Sequence, residues 1–111
     1  MIAAVIGSRG VNMRVDAFIP VDTDMIVTGG ARGVDRQAED FARRKGIPCV
    51  VIRPDYKKHG RSAPLVRDKE IVERADIVIA LWDGKSRGTA FSLRYAEKTG
   101  KDVRVYIVPE V

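Results

Sequence analysis

The sequence predicts an α/β protein: a Rossmann-like, three-layer domain with a mostly parallel five-stranded sheet in the order 3-2-1-4-5. Short apolar runs rich in Val and Ile recur along the chain, as in strands buried on both faces of a parallel sheet. Segments with helical spacing separate these runs, and alternating strands and helices favour right-handed crossovers. The length of 111 residues is typical of one domain, so we expect a single domain over 1–111.

The five predicted strands are the apolar runs themselves. They cover residues 2–7, 24–27, 47–52, 76–82 and 103–108. Each is short and continuously apolar or nearly so, which suits a strand covered by helices on both sides.

The segments between the strands supply the helices. Residues 34–45 place apolar side chains on one face and charged ones on the other, and Gly46 follows as a helix stop. Residues 64–74 and 88–99 are the second and third predicted helices. Residues 12–20 are predicted to form a short helix of low stability.

Composition describes an ordinary globular protein, with 45% apolar and 32% charged residues. No apolar run approaches the roughly 18 residues of a membrane span, and no signal peptide is recognisable, so we expect a cytoplasmic protein without a membrane partner. Cys49 is the only cysteine, and we expect it to be a small core residue. Because the chain also has only one histidine, we predict no metal site. The net charge of +5 attracts phosphates, but interleaved acidic residues leave the partner undecided.

Polar, glycine-bearing motifs follow the predicted strands. "GSRG" follows the first strand, "TGGARGVD" the second, "RPDY" the third and "WDGKSRGT" the fourth. The carboxyl ends of parallel strands meet at one edge of the sheet, and ligands bind there near the point where the strand order reverses. The motifs therefore predict one shared ligand site.

The motif at residues 28–35 is the most informative. Its glycines let backbone N–H groups approach a ligand, and the helix that follows presents unpaired N–H groups suited to an anion. The spacing fits neither the dinucleotide fingerprint nor the Walker motif. Asp35 either caps the helix or accepts hydrogen bonds from ligand hydroxyls. We predict phosphate or nucleotide binding here.

Other candidate residues have two interpretations each. Trp82 either packs in the core, which is slightly favoured, or stacks on a base. Arg61 and Arg67 are either surface charges or phosphate ligands. His59, in "KKHGR", is expected to be an exposed loop residue rather than a catalytic base.

The four motifs, with "PDY" and "GRSAPLVRD" after the third strand, resemble the SLOG superfamily, and above all its YspA-like group of small single-domain proteins. The resemblance spans nearly the whole chain. It implies a domain that binds a nucleotide or nucleotide-derived ligand, with ADP-ribose-like signals among the possibilities. Similar proteins include LOG-type cytokinin-activating phosphoribohydrolases and the DNA-processing protein of bacterial transformation. Relatives often form dimers, so a homodimer is expected.

Pattern and resemblance together give the expected ligand contacts, all near this edge of the sheet. One member, Asp68, departs from the asparagine usual in the family. The set is Gly7, Ser8, Arg9, Gly29, Gly30, Ala31, Arg32, Gly33, Asp35, Tyr56, Arg61, Arg67, Asp68, Trp82, Gly84, Ser86, Gly88 and Thr89.

The same resemblance argues against one kind of catalysis. LOG-type enzymes carry a glutamate one helical turn after their Gly-Thr pair, whereas "GTAFSL" has no acid there. Other candidate catalytic residues are Asp35, Arg67 and Asp83, with Asp68 a further possible acid. We favour a nucleotide sensor or carrier module over a hydrolase of N-glycosidic or phosphate-ester bonds, and both over a single-stranded DNA-binding protein; whether the chain is an enzyme stays open.

Overall fold

Five strands alternate with helices in the computed structural model, which describes residues 1–109. The strands are β1 (Ile2–Gly7), β2 (Met25–Thr28), β3 (Cys49–Val51), β4 (Ile77–Trp82) and β5 (Asp102–Ile107). The helices are α1 (Val34–Lys45), α2 (Tyr56–His59), α3 (Ala63–Arg74) and α4 (Arg87–Lys98), with 3-10 turns at Asp16–Phe18 and Gly60–Ser62.

The strands form one sheet in the order β3-β2-β1-β4-β5, and every neighbouring pair is parallel. This confirms the predicted fold class and strand order. β1 lies at the centre, where Ala3 is paired with Ile26 of β2 on one side and Ile77 of β4 on the other. β3 is shorter than predicted, and Pro48 just before it has no N–H to donate to a ladder.

Two apolar layers hold the helices to the sheet. On one face, Val34 and Phe41 of α1 pack with Val15 against the strands. On the other face, Val72 of α3 and Leu93 of α4 do the same. Because both faces are covered, the central strands have almost no exposed surface, as their apolar sequences require.

The helix bounds agree closely with the periodicity. α1 has the predicted bounds, and Gly46 follows it with the left-handed φ of +70° that a helix stop requires. α3 and α4 each begin one residue earlier than predicted. α2 was not predicted. Its N-cap residue is Asp55, whose carboxylate accepts a hydrogen bond from the Lys58 N–H at 3.1 Å, and an aspartate in this position is a typical helix start.

Three expectations need correction. Only the single turn Asp16–Phe18 is helical within residues 12–20; Asn, Val and Asp are weak helix formers, and tertiary contacts such as the Arg44–Asp16 ion pair, at 2.6 Å, fix the segment instead. Cys49 is half-buried and packs at the margin of the core. His59 is the last residue of α2 and is also half-buried.

Within the described range 1–109, no helix combines the length and the apolar character that a membrane span needs.

Candidate functional site

A cleft of about 470 Å³ opens at the carboxyl edge of the sheet. The loops after β1, β2 and β4 form three of its sides, and α3 and α4 complete it. Its volume falls in the range of roughly 300–1,000 Å³ typical of small-molecule sites. The expected contact residues that line it are Gly7, Ser8, Arg9, Gly29, Ala31, Arg32, Asp35, Arg67, Asp68, Ser86, Gly88 and Thr89, together with the candidate acid Asp83.

Four further residues line the cleft that were not among the expected ligand contacts: Ile6, Gly10, Ile71 and Ser92. Helical spacing could have found two of them. Ile71 lies one turn beyond the Arg67–Asp68 pair on α3, and Ser92 lies one turn beyond Thr89 on α4. Ile6 and Ile71 give the cleft an apolar part beside its polar loops.

Tyr56, Arg61 and Gly84 lie outside both the cleft and its walls. Tyr56 is 61% exposed on α2, and Arg61 is exposed in the turn that follows it. This basic segment forms α2, which was not predicted, and the 3-10 turn after it. Gly84 lies in the exposed turn before α4.

Three more of the expected contact residues lie outside the cleft but touch the loops that form its walls. They are Gly30, Gly33 and Trp82. A methyl carbon at Gly33, which has φ +78°, would lie 2.6 Å from the backbone oxygen of Arg9, so this glycine lets two loops pack together. The Trp82 indole packs against the core beside α3 and α4 and donates a hydrogen bond to the Ser86 carbonyl at 3.1 Å. Gly30 faces a second hollow behind the loop.

The hydroxyl of Ser8 joins two loops of the cleft. It is 2% exposed, its Oγ lies 2.9 Å from Ser86 Oγ, and it accepts a hydrogen bond from the Asp83 N–H at 3.0 Å. The Asp83 carboxylate in turn accepts hydrogen bonds from the Lys85 and Ser86 N–H groups at 2.8 and 2.9 Å. Ser8 therefore fixes the shape of the cleft rather than offering a free hydroxyl.

The guanidinium of Arg67 ties α3 to the ends of two strands. Nη1 donates to the carbonyls of Gly29 at 2.9 Å and Ile52 at 3.4 Å, and Nε pairs with Asp68 Oδ1 at 2.7 Å. The two side chains are only 15% and 13% exposed. Burial raises the pKa of Asp68, and the charge of Arg67 opposes that rise. No hydrogen-bond acceptor within residues 1–109 pairs with Nη2.

Asp35 closes the loop before α1 instead of capping the helix. The N-cap residue is Gly33, and Asp35 Oδ2 accepts a hydrogen bond from the Ala31 N–H at 3.1 Å. Asp35 is 7% exposed. Burial raises its pKa to about 6, while the Ala31 hydrogen bond and the charge of Arg67 limit the rise. The cleft thus holds a carboxyl group that changes charge near neutral pH.

α4 begins at the cleft, and α1 begins beside it, with Asp35 of its first turn in the lining; neither helix has a side-chain hydrogen bond at its N-cap residue. Their first-turn N–H groups carry partial positive charge and suit an anion. Gly88 and Thr89, in the first turn of α4, line the cleft.

Formal charge in the cleft is balanced between three arginines and three aspartates. Asp35, Asp68 and Asp83 already accept internal hydrogen bonds. Arg9 and Arg32 are exposed and make no ion pair with any described residue, so they are the charges available to an incoming anion.

Residues 1–109 contain no group of three or more His, Cys, Asp or Glu side chains that could hold a metal ion.

A family model described as "YspA, cpYpsA-related SLOG family" matches residues 13–59, which contain β2, the loop before α1, α1 itself and β3. This match supports the resemblance of the chain to the SLOG superfamily. The chain is also 37% identical over 82 residues to the Gene 61 protein of Mycobacterium phage D29. That match covers 68% of this chain and 66% of the phage protein, just under two thirds of its length. No solved structure matches the chain.

Proposed function

We propose that this protein binds a nucleotide or nucleotide-derived ligand in the 470 Å³ cleft and acts as a sensor or carrier module. One observation carries the proposal. The N-terminus of α4, which has no side-chain cap, opens at the cleft beside the partly unpaired guanidinium of Arg67, and the first turn of α1 reaches the cleft at Asp35.

Each part of such a ligand has a matching surface. A phosphate suits the first-turn N–H groups of α4 at Gly88 and Thr89. Arg9 and Arg32 offer planar guanidinium groups that bind phosphate oxygens in pairs. Ile6 supplies apolar surface for a sugar or base.

Binding is tested with the mono- and diphosphates of the common nucleosides, by thermal unfolding and calorimetry. A bound ligand raises the unfolding temperature, by the equivalent of about 2.7 kcal/mol at a hundred times Kd. Arg9→Ala and Arg32→Ala should each weaken binding about tenfold. Arg94→Ala, an exposed charge on α4 outside the cleft, is the matched control.

Two outcomes would overturn this function. The first is the absence of any stabilisation by nucleotides at millimolar concentration. The second is tighter binding of a single-stranded oligonucleotide than of any mononucleotide, with a salt dependence that reflects several phosphates. Native mass spectrometry of the purified protein adds an independent check, because it reports both a co-purified nucleotide and the expected dimer.

A second candidate function is nucleotide hydrolysis, favoured by Asp35. A carboxyl group with a pKa of about 6 in a ligand cleft can accept or donate a proton near neutral pH. The position one turn after Thr89 offers no such group: Ser92 occupies it, and its hydroxyl donates to the Gly88 carbonyl at 3.1 Å. An acid would therefore come from the loop before α1 rather than from α4.

Hydrolysis is tested by chromatography of nucleoside monophosphates incubated with the protein. The hydrolase function predicts release of nucleobase or phosphate with an ascending limb near pH 6, abolished by Asp35→Asn. Binding without release between pH 5 and 9 would leave the sensor function alone.

A further inference from the structure

A second hollow, of about 270 Å³, lies behind the loop that forms one side of the cleft. Ala31 and Arg32 line both the hollow and the cleft, so this loop separates the two spaces. Arg36 and Arg43, on α1, and Arg53, just after β3, form much of the wall of the hollow.

The charges around the hollow are predominantly positive. Four arginines line it, against Glu39 and Asp40. The Asp40 carboxylate already pairs with Arg43 at 3.0 Å. Arg32 and Arg36, by contrast, are exposed and make no hydrogen bond or ion pair with any residue from 1 to 109. Two guanidinium groups at this hollow are therefore available to an anion.

Arg53 and Gly30 are in close contact in the wall of the hollow. Arg53 Nη1 donates to the Gly30 carbonyl at 3.2 Å. Gly30 has φ +75°, and a methyl carbon there would lie 2.7 Å from Val51 Cγ1 and 2.8 Å from Arg53 Nη1. A side chain at this position would push Arg53 away from the loop, so glycine permits the wall to form.

We propose that the hollow is a second anion subsite, which holds a second phosphate group of the same ligand whose first phosphate lies in the cleft. Arg32, shared by the two spaces, contacts both phosphates. The hollow, of about 270 Å³, has room for one phosphate group of a ligand. The inference rests on the proposed function, and it narrows the ligand class to nucleotides with two phosphate groups.

The test compares the 5′-monophosphates, 5′-diphosphates and 3′,5′-bisphosphates of adenosine, guanosine, cytidine and uridine by calorimetry. For the preferred base, one of the two-phosphate forms should bind at least about tenfold more tightly than the monophosphate. The reason is that the second phosphate forms additional charge-assisted hydrogen bonds with the arginines of the hollow. Arg36→Gln should reduce this advantage to less than about threefold and leave the Kd of the monophosphate unchanged.

The matched control is Arg94→Gln, which removes one exposed charge from α4 and should keep the full advantage. Because Arg36 is exposed and unpaired, its replacement leaves the fold intact, which thermal unfolding checks directly. Arg36→Lys keeps the charge but loses the planar fork, and should retain only part of the advantage.

The outcomes separate this inference from the function on which it rests. Equal binding of one- and two-phosphate nucleotides, with Arg36→Gln silent, overturns the second subsite and leaves nucleotide binding intact. An equal loss for both ligand classes in Arg36→Gln also overturns it, because the residue would then act on the main cleft. Binding of none of the twelve ligands overturns the proposed function itself.

Discussion

The hydroxyl oxygens of Ser8 and Ser86 lie 2.9 Å apart, although 78 positions separate the two residues in the chain. Ser8 Oγ also accepts a hydrogen bond from the Asp83 N–H. The loops after the neighbouring central strands β1 and β4 are therefore fastened together at one buried hydroxyl, and the width of the cleft depends on it.

Ser8→Ala should lower the free energy of unfolding by about 1–3 kcal/mol, because it removes the hydrogen bond from the Asp83 N–H to Ser8 Oγ and the contact of Ser8 Oγ with Ser86 Oγ. Ser86→Ala should cost less, since Ser8 Oγ can still accept from Asp83. The exposed Ser62, which makes no side-chain capping bond, is the control and should change stability by less than about 0.5 kcal/mol on replacement by alanine. Urea denaturation measures all three, and equal effects of the first two variants would contradict the prediction.

Gly29→Ala should destabilise the protein by about 1–3 kcal/mol, because the added methyl carbon meets atoms that are held in place. It would lie 2.8 Å from Arg67 Nη1 and 2.9 Å from Asp35 Oδ2. A methyl carbon added at Gly88 would lie 3.9 Å from its nearest neighbour, an Asp68 oxygen. Gly88→Ala should therefore be neutral or stabilising by up to about 1 kcal/mol. Similar unfolding midpoints for the two variants would contradict the predicted steric clash at Gly29.

Arg67→Met should lower the free energy of unfolding by about 2–4 kcal/mol, because it leaves the largely buried Asp68 carboxylate without its partner. Adding Asp68→Asn should restore part of that loss, since the remaining amide carries no charge. A double-mutant cycle in urea measures the coupling. A coupling energy near zero would show that Arg67 acts mainly through the Gly29 and Ile52 carbonyls.

Asp35→Asn should stabilise the fold above pH 6. The pKa of Asp35 is about 6 in the folded protein, above its ordinary value of 3.8. The folded state therefore holds the proton more tightly, and the wild-type protein loses stability as the pH rises from about 4 to about 6. The loss is on the order of 1–3 kcal/mol.

The measurement is the difference in unfolding free energy between Asp35→Asn and wild type at several pH values. This difference should grow in favour of the variant between pH 4 and 6 and stay constant above pH 7. A flat difference, or a growing advantage of the wild type, would count against a raised pKa at Asp35.

Most of the fold was predictable because burial of the sheet on both faces requires an apolar pattern that is easily recognised in the sequence. Strands covered on two sides must be continuously apolar, and the amphipathic period of α1 fixed its bounds from Val34 to Lys45. The conformation of the segment around Asp16 could not be predicted from periodicity, because it depends on Arg44, a residue 28 positions away.

The location of the cleft followed from the rule that parallel strands end at one edge, but the roles of its residues did not. Gly29 and Gly30 are adjacent in sequence, yet one lines the cleft and the other the hollow behind it. Asp35 and Arg67 were expected to meet a ligand, and both are largely occupied by bonds within the protein. Such pairings arise from tertiary distances that no local pattern encodes.

The central place of β1 has a consequence for how the chain folds during synthesis. Its second neighbour in the sheet, β4, begins 75 residues later, at Ile77. Until that strand has left the ribosome, one edge of a fully apolar strand stays unpaired and open to aggregation. Ser8 meets Asp83 and Ser86 only when β4 and the loop after it are complete, so an N-terminal fragment has no closed cleft.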